Sequence, residues 1–177
     1  MRGTLPYIMR NFLLILMLLG NHSNSFSQDD FQNAIIALNS ELNFKQESES
    51  YSNSKKPNEK IINQFKRCSE FESLEKLSEL NFENITSVKS TELFTSKWKG
   101  KKQIEFQEWK FESEKYARNF IDILENLKQS EVQFCVNKGG IMWWRNDNEI
   151  YILTSRAYFM TYHYEEIKEV IKSGLKK

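Results

Sequence analysis

Histidine and cysteine are scarce in this chain of 177 residues, at two apiece. A zinc site draws on several Cys or His ligands, typically four when structural and three when catalytic. No metal is therefore expected, and no cofactor either. An excess of charge of one sign is also missing, because 25 Lys and Arg face 24 Asp and Glu for a formal net charge of +1. A nucleic-acid binder needs a concentrated basic field. No such partner is expected. The one basic cluster, Lys97, Lys99, Lys101 and Lys102, has Glu92 and Glu105 on its flanks. It reads as a solvated hairpin tip, with a phosphate or acidic-lipid site as the other reading.

Long apolar runs are absent as well. The run from Phe12 to Leu19 holds eight residues, far below the roughly 20 that a membrane-crossing helix takes. Arg2 and Arg10 precede it and a small polar stretch ends at Ser25, Phe26, Ser27 and Gln28, so residues 1–27 read as a cleavable signal peptide. A cut a few residues earlier and an uncleaved anchor are the alternatives. Loss of the two arginines turns the net charge slightly negative, and no cysteine near the cut offers an acylation site. The expected product is secreted or periplasmic, with no stable membrane anchor after cleavage. Heavy use of Asn, Lys, Ile and Ser suits a bacterium; in a eukaryote Asn84, Ile85 and Thr86 would form a glycosylation acceptor.

Beyond the leader, residues 28–57 are expected to form an N-terminal helix and a polar linker, and residues 58–177 a single domain. Phe31, Ala34, Ile35, Leu38 and Leu42 recur at steps of three and four, which predicts an amphipathic helix over 29–44. Glu47 to Asn58 carries serines and Pro57 and reads as a flexible linker. From Asn58 the stripe Ile61, Ile62, Phe65, Cys68, Phe71, Leu74 and Leu77 predicts a helix fading near Leu80. No sustained period follows from Asn81 to Ser90.

The second half holds all four tryptophans and is better punctuated. Strands are expected at 92–98 and 103–111, as a hairpin around Gly100. A helix opened by Glu112 or Ser113 should run to about Lys128. Val132, Phe134 and Val136 alternate with Gln133 and Cys135 as a short strand, and Asn137 to Gly140 make a turn. Ile141 to Arg145 and Glu149 to Ser155 form a second hairpin. The chain should close on a helix from Tyr164, terminated at Gly174. Short connections between strands argue for an α+β fold: a mainly antiparallel sheet of about five strands in two hairpins, packed with helices on one face, and two further helices at the N-terminal side that cover the sheet or stand apart.

Candidate chemistry is thin. In an exported protein Cys68 and Cys135 are expected to form a disulfide; two buried free thiols or a catalytic thiol are the other readings. His163 with Cys135, Ser155 or a carboxylate would make a small hydrolase, but no nucleophile-elbow glycines surround Ser155. The pairs Glu165 with Glu166 and Glu112 with Glu114 sit where helix N-termini favour acids. Asp147 lacks the glycine and distal glutamate of a calcium loop.

Aromatic residues carry the remaining signal, crowded between residues 143 and 164 with Arg145 and Arg156 interleaved. Adjacent Trp143 and Trp144 on a strand must face opposite sides. Either helices cover both faces and the rings are core, or Trp143 or Trp144 joins Tyr151, Arg145 and Arg156 in a surface that binds a protein, peptide or glycan. The favoured function is a non-enzymatic exported binding module.

Overall fold

A computed structural model describes residues 29–46 and 52–175; the expected leader lies outside the described residues. Helix α1, Asp30–Leu42, starts where the Asp29 carboxylate accepts the Phe31 N–H at 3.2 Å and stops at Asn43 in the left-handed region. Its Phe31, Ala34, Ile35, Leu38 and Leu42 are all buried. Strands β1, Lys45–Gln46, and β2, Ser52–Ser54, follow. Helix α2 is Glu59–Cys68, and a 3-10 segment occupies Glu72–Glu79. Strands β3, Ile85–Thr95, and β4, Lys102–Phe111, form the first hairpin. Helices α3, Glu114–Glu125, and α4, Gln129–Val136, lead to β5, Ile141–Asn146, and β6, Glu149–Ser155. A 3-10 turn at Tyr158–His163 then passes into α5, Tyr164–Leu175.

The fold is α+β. Its six strands form one antiparallel sheet in the order β1-β3-β4-β6-β5, with β2 on the same outer edge of β3 as β1. Strand alternation divides the sheet into two apolar faces. One face, with Leu93, Ile104, Phe106, Trp144, Tyr151 and Leu153, packs beneath α1 and α5. The other, with Val88, Trp109, Phe111, Ile141, Ile150 and Ile152, packs beneath α2, α3 and α4. Helices thus cover both faces rather than one, and α1 belongs to the core instead of standing apart.

Four local expectations are corrected. Residues 132–136 form the end of helix α4, not a strand. The four-residue step from Val132 to Val136 is also one helical turn, and it buries both valines while turning Phe134 outward. The helix expected over 58–80 breaks after Cys68, because Leu74, Leu77 and Leu80 are spaced at three and fit the tighter 3-10 turn, which buries all three. Strand β3 begins at Ile85, where a register shift between Ile85 and Ser87 hides its alternation. Within the expected linker, Ser52–Ser54 pair with β3 as β2.

Gly174 does not terminate the last helix. It sits inside α5, where a Cβ would lie 2.8 Å from the Asn33 carbonyl oxygen and 2.9 Å from Ala34 Cα. The missing side chain therefore lets α5 lie directly on α1. The disulfide joins Cys68 to Cys135 with Cα atoms 5.8 Å apart. It ties α2 to α4, both helices of one layer.

Candidate functional site

The polarity of β4 changes partway along. On the face beneath α2, α3 and α4, Phe111 and Trp109 are apolar core, whereas Gln107, Glu105 and Gln103 continue the same row as polar groups. The helices stop covering the sheet there, and a groove of about 550 Å³ opens. Its floor is built of hydrogen bonds. The Trp109 Nε1–H donates to Gln107 Oε1 at 2.7 Å, which turns the Gln107 Nε2–H toward Glu105 Oε1 at 2.8 Å. Ser90 Oγ donates to the same oxygen at 3.0 Å, and Thr154 Oγ1 lies 3.4 Å from Glu105 Oε2. This half-buried carboxylate is held in one orientation.

Cations ring that floor. Lys60 and Arg67 stand on α2; Lys138 follows α4 and Arg156 follows β6. Arg156 is 82 % exposed in its side chain and reaches Glu92 at 3.9 Å. Four cations thus outnumber Glu92 and Glu105. The disulfide holds the wall together, since Cys135 lines the groove and Cys68 ends α2.

Exposed rings gather beside the groove. Phe134, on the outward side of α4, is 63 % exposed and stacks on Tyr158 with centroids 6.0 Å apart. Tyr158 in turn meets Tyr162, 80 % exposed, edge to face at 6.5 Å. Phe134 is the neighbour of Cys135, and Tyr158 stands two residues beyond Arg156. This cluster therefore adjoins the groove along the chain at both points.

The five residues expected to share a binding surface do not come together. Trp144 and Tyr151 are core under α1 and α5, stacked with centroids 5.5 Å apart, so neither can form a surface. Among the described residues, the Trp144 Nε1–H is the buried side-chain polar atom without a hydrogen-bond partner. Trp143 and Arg145 point to the other face, where Arg145 is bound by Glu114 at 3.2 Å and by the Asp147 carbonyl at 2.7 Å. The Arg118 and Arg145 guanidiniums hold the Glu114 carboxyl below its usual range. Only Arg156 reaches the groove. The strand expected over 132–136 would bury Phe134, so its residue type gives no sign of a surface role, whereas the polar row Gln103, Glu105, Gln107 does mark the floor.

Of the candidate partners of His163, a carboxylate stands beside it, whereas Cys135 and the Ser155 hydroxyl are engaged elsewhere. The His163 ring stacks on Trp98 at 4.0 Å, and its Nδ1 is 3.9 Å from Glu166. Cys135 is bonded to Cys68, and the Ser155 hydroxyl is buried between Gly139 O at 2.6 Å and the Tyr164 hydroxyl, which donates to it at 2.9 Å. Burial pushes the Tyr164 phenol up to about 12. Among the described residues, no group of three or more His, Cys, Asp or Glu is placed to hold a metal ion. No helix among them is long and apolar enough to cross a membrane.

One ionic cluster lies under α1 instead. Lys89 bridges Glu108 at 2.9 Å and Asp29 at 2.6 Å, and the Glu108 side chain is only 3 % exposed. Next to it the Tyr151 hydroxyl donates to Glu149 at 2.7 Å. Burial raises the Tyr151 phenol far above its ordinary range. Glu108 and Tyr151 are enclosed by helix and sheet, whereas Lys89, Asp29 and Glu149 are partly exposed at the rim of α1. No family model matches the chain, and neither does any curated protein or solved structure.

Proposed function

We propose that this chain is an exported, non-enzymatic binding module whose groove takes an acidic glycan. The observation that supports this reading is the oriented Glu105 carboxylate at the centre of a polar floor, set within a cationic rim and next to exposed aromatic rings. Sugar hydroxyls donate well to a fixed carboxylate and pair with amide and hydroxyl side chains. Carboxylate, sulfate or phosphate groups on the sugar pair with Lys and Arg through charge-assisted hydrogen bonds. Aromatic rings such as Tyr158 and Tyr162 offer flat apolar surface to sugar faces. A disulfide is at home in an oxidising compartment, which agrees with export.

Calorimetric titration of the oxidised protein with an oligogalacturonate and with a neutral oligosaccharide of equal length tests the reading. The uronate should bind at least tenfold more tightly, with an affinity that falls as salt is raised. Glu105→Gln should weaken binding about tenfold, the loss of one charged hydrogen bond. Pairing Lys138→Ala with Arg156→Ala should erase the preference for the charged sugar. Equal binding of both sugars, or binding of neither, would reject the reading.

A further inference from the structure

Two adjacent segments at one end of the sheet carry cations and no carboxylate of their own. Residues 96–103, the tip of the β3–β4 hairpin, hold Lys97, Lys99, Lys101 and Lys102, and residues 156–163, which follow β6, hold Arg156. The pairing of Ile104 with Ser155 sets the two segments side by side. Contact between them is direct, because the Lys102 ammonium lies over the Phe159 ring at 3.8 Å. Acids from elsewhere answer only part of this charge: Glu166 binds Lys97 at 2.8 Å, and Glu92 stands 3.9 Å from Arg156. Lys99 and Lys102 have no carboxylate partner among the described residues.

The second segment also holds its rings outward. Met160 is wholly buried and its N–H donates to the Ala157 carbonyl at 2.9 Å, so the turn is fastened from beneath while Tyr158 and Tyr162 stay exposed on either side. Phe134 extends the same exposed surface through its stack on Tyr158. Neither Tyr158 nor Tyr162 lines the groove. The lysines lie on ring surface rather than apart from it, since the Lys101 ammonium rests over Phe94 at 4.1 Å much as Lys102 rests over Phe159.

We infer that this end of the sheet docks reversibly on an anionic phospholipid bilayer. Tyr158, Tyr162 and Phe134 enter the interface, and Lys99 and Lys102 meet the lipid phosphates. Tyrosine rings settle at the headgroup level of a bilayer. Lysine stems run along apolar surface while their ammonium groups stay in water, and an anionic leaflet attracts them. A small ligand would need a concave site, which these two tyrosines do not line. A second copy of the chain would set the lysines against their own counterparts in a symmetric contact. Attachment through apolar rings and a few charges is peripheral and does not amount to an anchor. It stands independently of the glycan reading.

Co-sedimentation with vesicles of phosphatidylcholine, alone or mixed with an equal part of phosphatidylglycerol, tests the inference. The mixed vesicles should bind at least tenfold more tightly, with an affinity that falls as salt is raised. A lysine beside an anionic surface contributes roughly fivefold, so Lys99→Glu combined with Lys102→Glu should weaken binding at least tenfold. Neither lysine lines the groove, and the variant should bind oligogalacturonate as the parent does, which keeps the two readings separable. Tyr162→Trp reports on the rings: brominated acyl chains in the mixed vesicles should quench the fluorescence it adds. If the lysine variant fails to fold, the lipid comparison and the quenching at position 162 still decide. Equal binding of both vesicles, binding of neither, or no quenching at position 162 would each overturn the inference. So would shielding of that position without lipid as protein concentration rises, which would place a second copy on the surface.

Discussion

Lys89→Met lowers the stability of the fold by about 3–5 kcal/mol at pH 8, the cost of leaving a buried charge without its partner. Glu108 is the charge left behind, enclosed beneath α1 and held by Lys89 at 2.9 Å. Burial raises the Glu108 carboxyl above its usual range even with Lys89 in place, the ammonium pulling against that rise. A carboxyl whose folded pKa lies above its unfolded value contributes stability that is present at low pH and lost as pH rises through the folded pKa. Removing Lys89 raises that folded pKa further. The deficit of the variant should therefore shrink as pH falls from 8 to 5, where a neutral Glu108 folds at less cost.

Lys89 has the opposite chemistry but the same direction of shift. Burial alone would lower its pKa, and the hydrogen bonds to Asp29 and Glu108 more than offset this, so it is held above its ordinary value of 10.5. Its contribution is present below that value and fades only as pH rises beyond it. Urea unfolding of the parent and the variant at pH 5 and pH 8 measures the Glu108 effect, the Lys89 contribution being constant across that range. Adding Glu108→Leu to Lys89→Met should recover most of the loss, since an apolar pair of similar volume often replaces a buried ion pair without penalty. A single variant within about 1 kcal/mol of the parent at both pH values would show that the cluster is wet enough to be dispensable.

Replacing Cys68 and Cys135 together with alanine should lower stability by about 4 kcal/mol, from the entropy of the loop that the bond closes. The two cysteines are separated by 67 positions in sequence. For a domain of this size that loss corresponds to a melting temperature lower by roughly 10 °C. Calorimetry of the oxidised protein, the reduced protein and the double variant checks it. The reduced protein should match the variant, and a fall of only a degree or two would mean that helix packing alone holds α2 against α4. Under the proposed function the variant should also lose glycan affinity beyond its loss of stability, because α2 and the end of α4 are the two walls of the groove.

Much of this architecture can be read locally. The steps of three and four from Phe31 to Leu42 mark α1, and Asn146, Asp147 and Asn148 mark the second hairpin; Asp147 takes the left-handed backbone that such a turn needs. Segments that fit two periods are harder. Val132 and Val136 satisfy a strand and a helix equally, and only the fit of α4 against the core and the bond to Cys68 decide between them. The stripe through Leu74, Leu77 and Leu80 likewise suits a loose α-helical reading until its three-residue step is counted.

The candidate site was less legible, because a side chain's exposure depends on what covers it. From residue types alone, Trp143 and Trp144 must face opposite ways, and Cys68 and Cys135 make a natural pair. Those statements rest on covalent geometry and redox chemistry, which are local or pairwise. Which tryptophan is covered, that Tyr151 lies in the core, and that Phe134, Tyr158 and Tyr162 meet at the surface were settled only by tertiary packing. Burial is a property of distant segments: α1 and α5, brought together at Gly174, close one face of the sheet, while the opposite layer ends short of Glu105 and leaves its carboxylate on the floor of a groove.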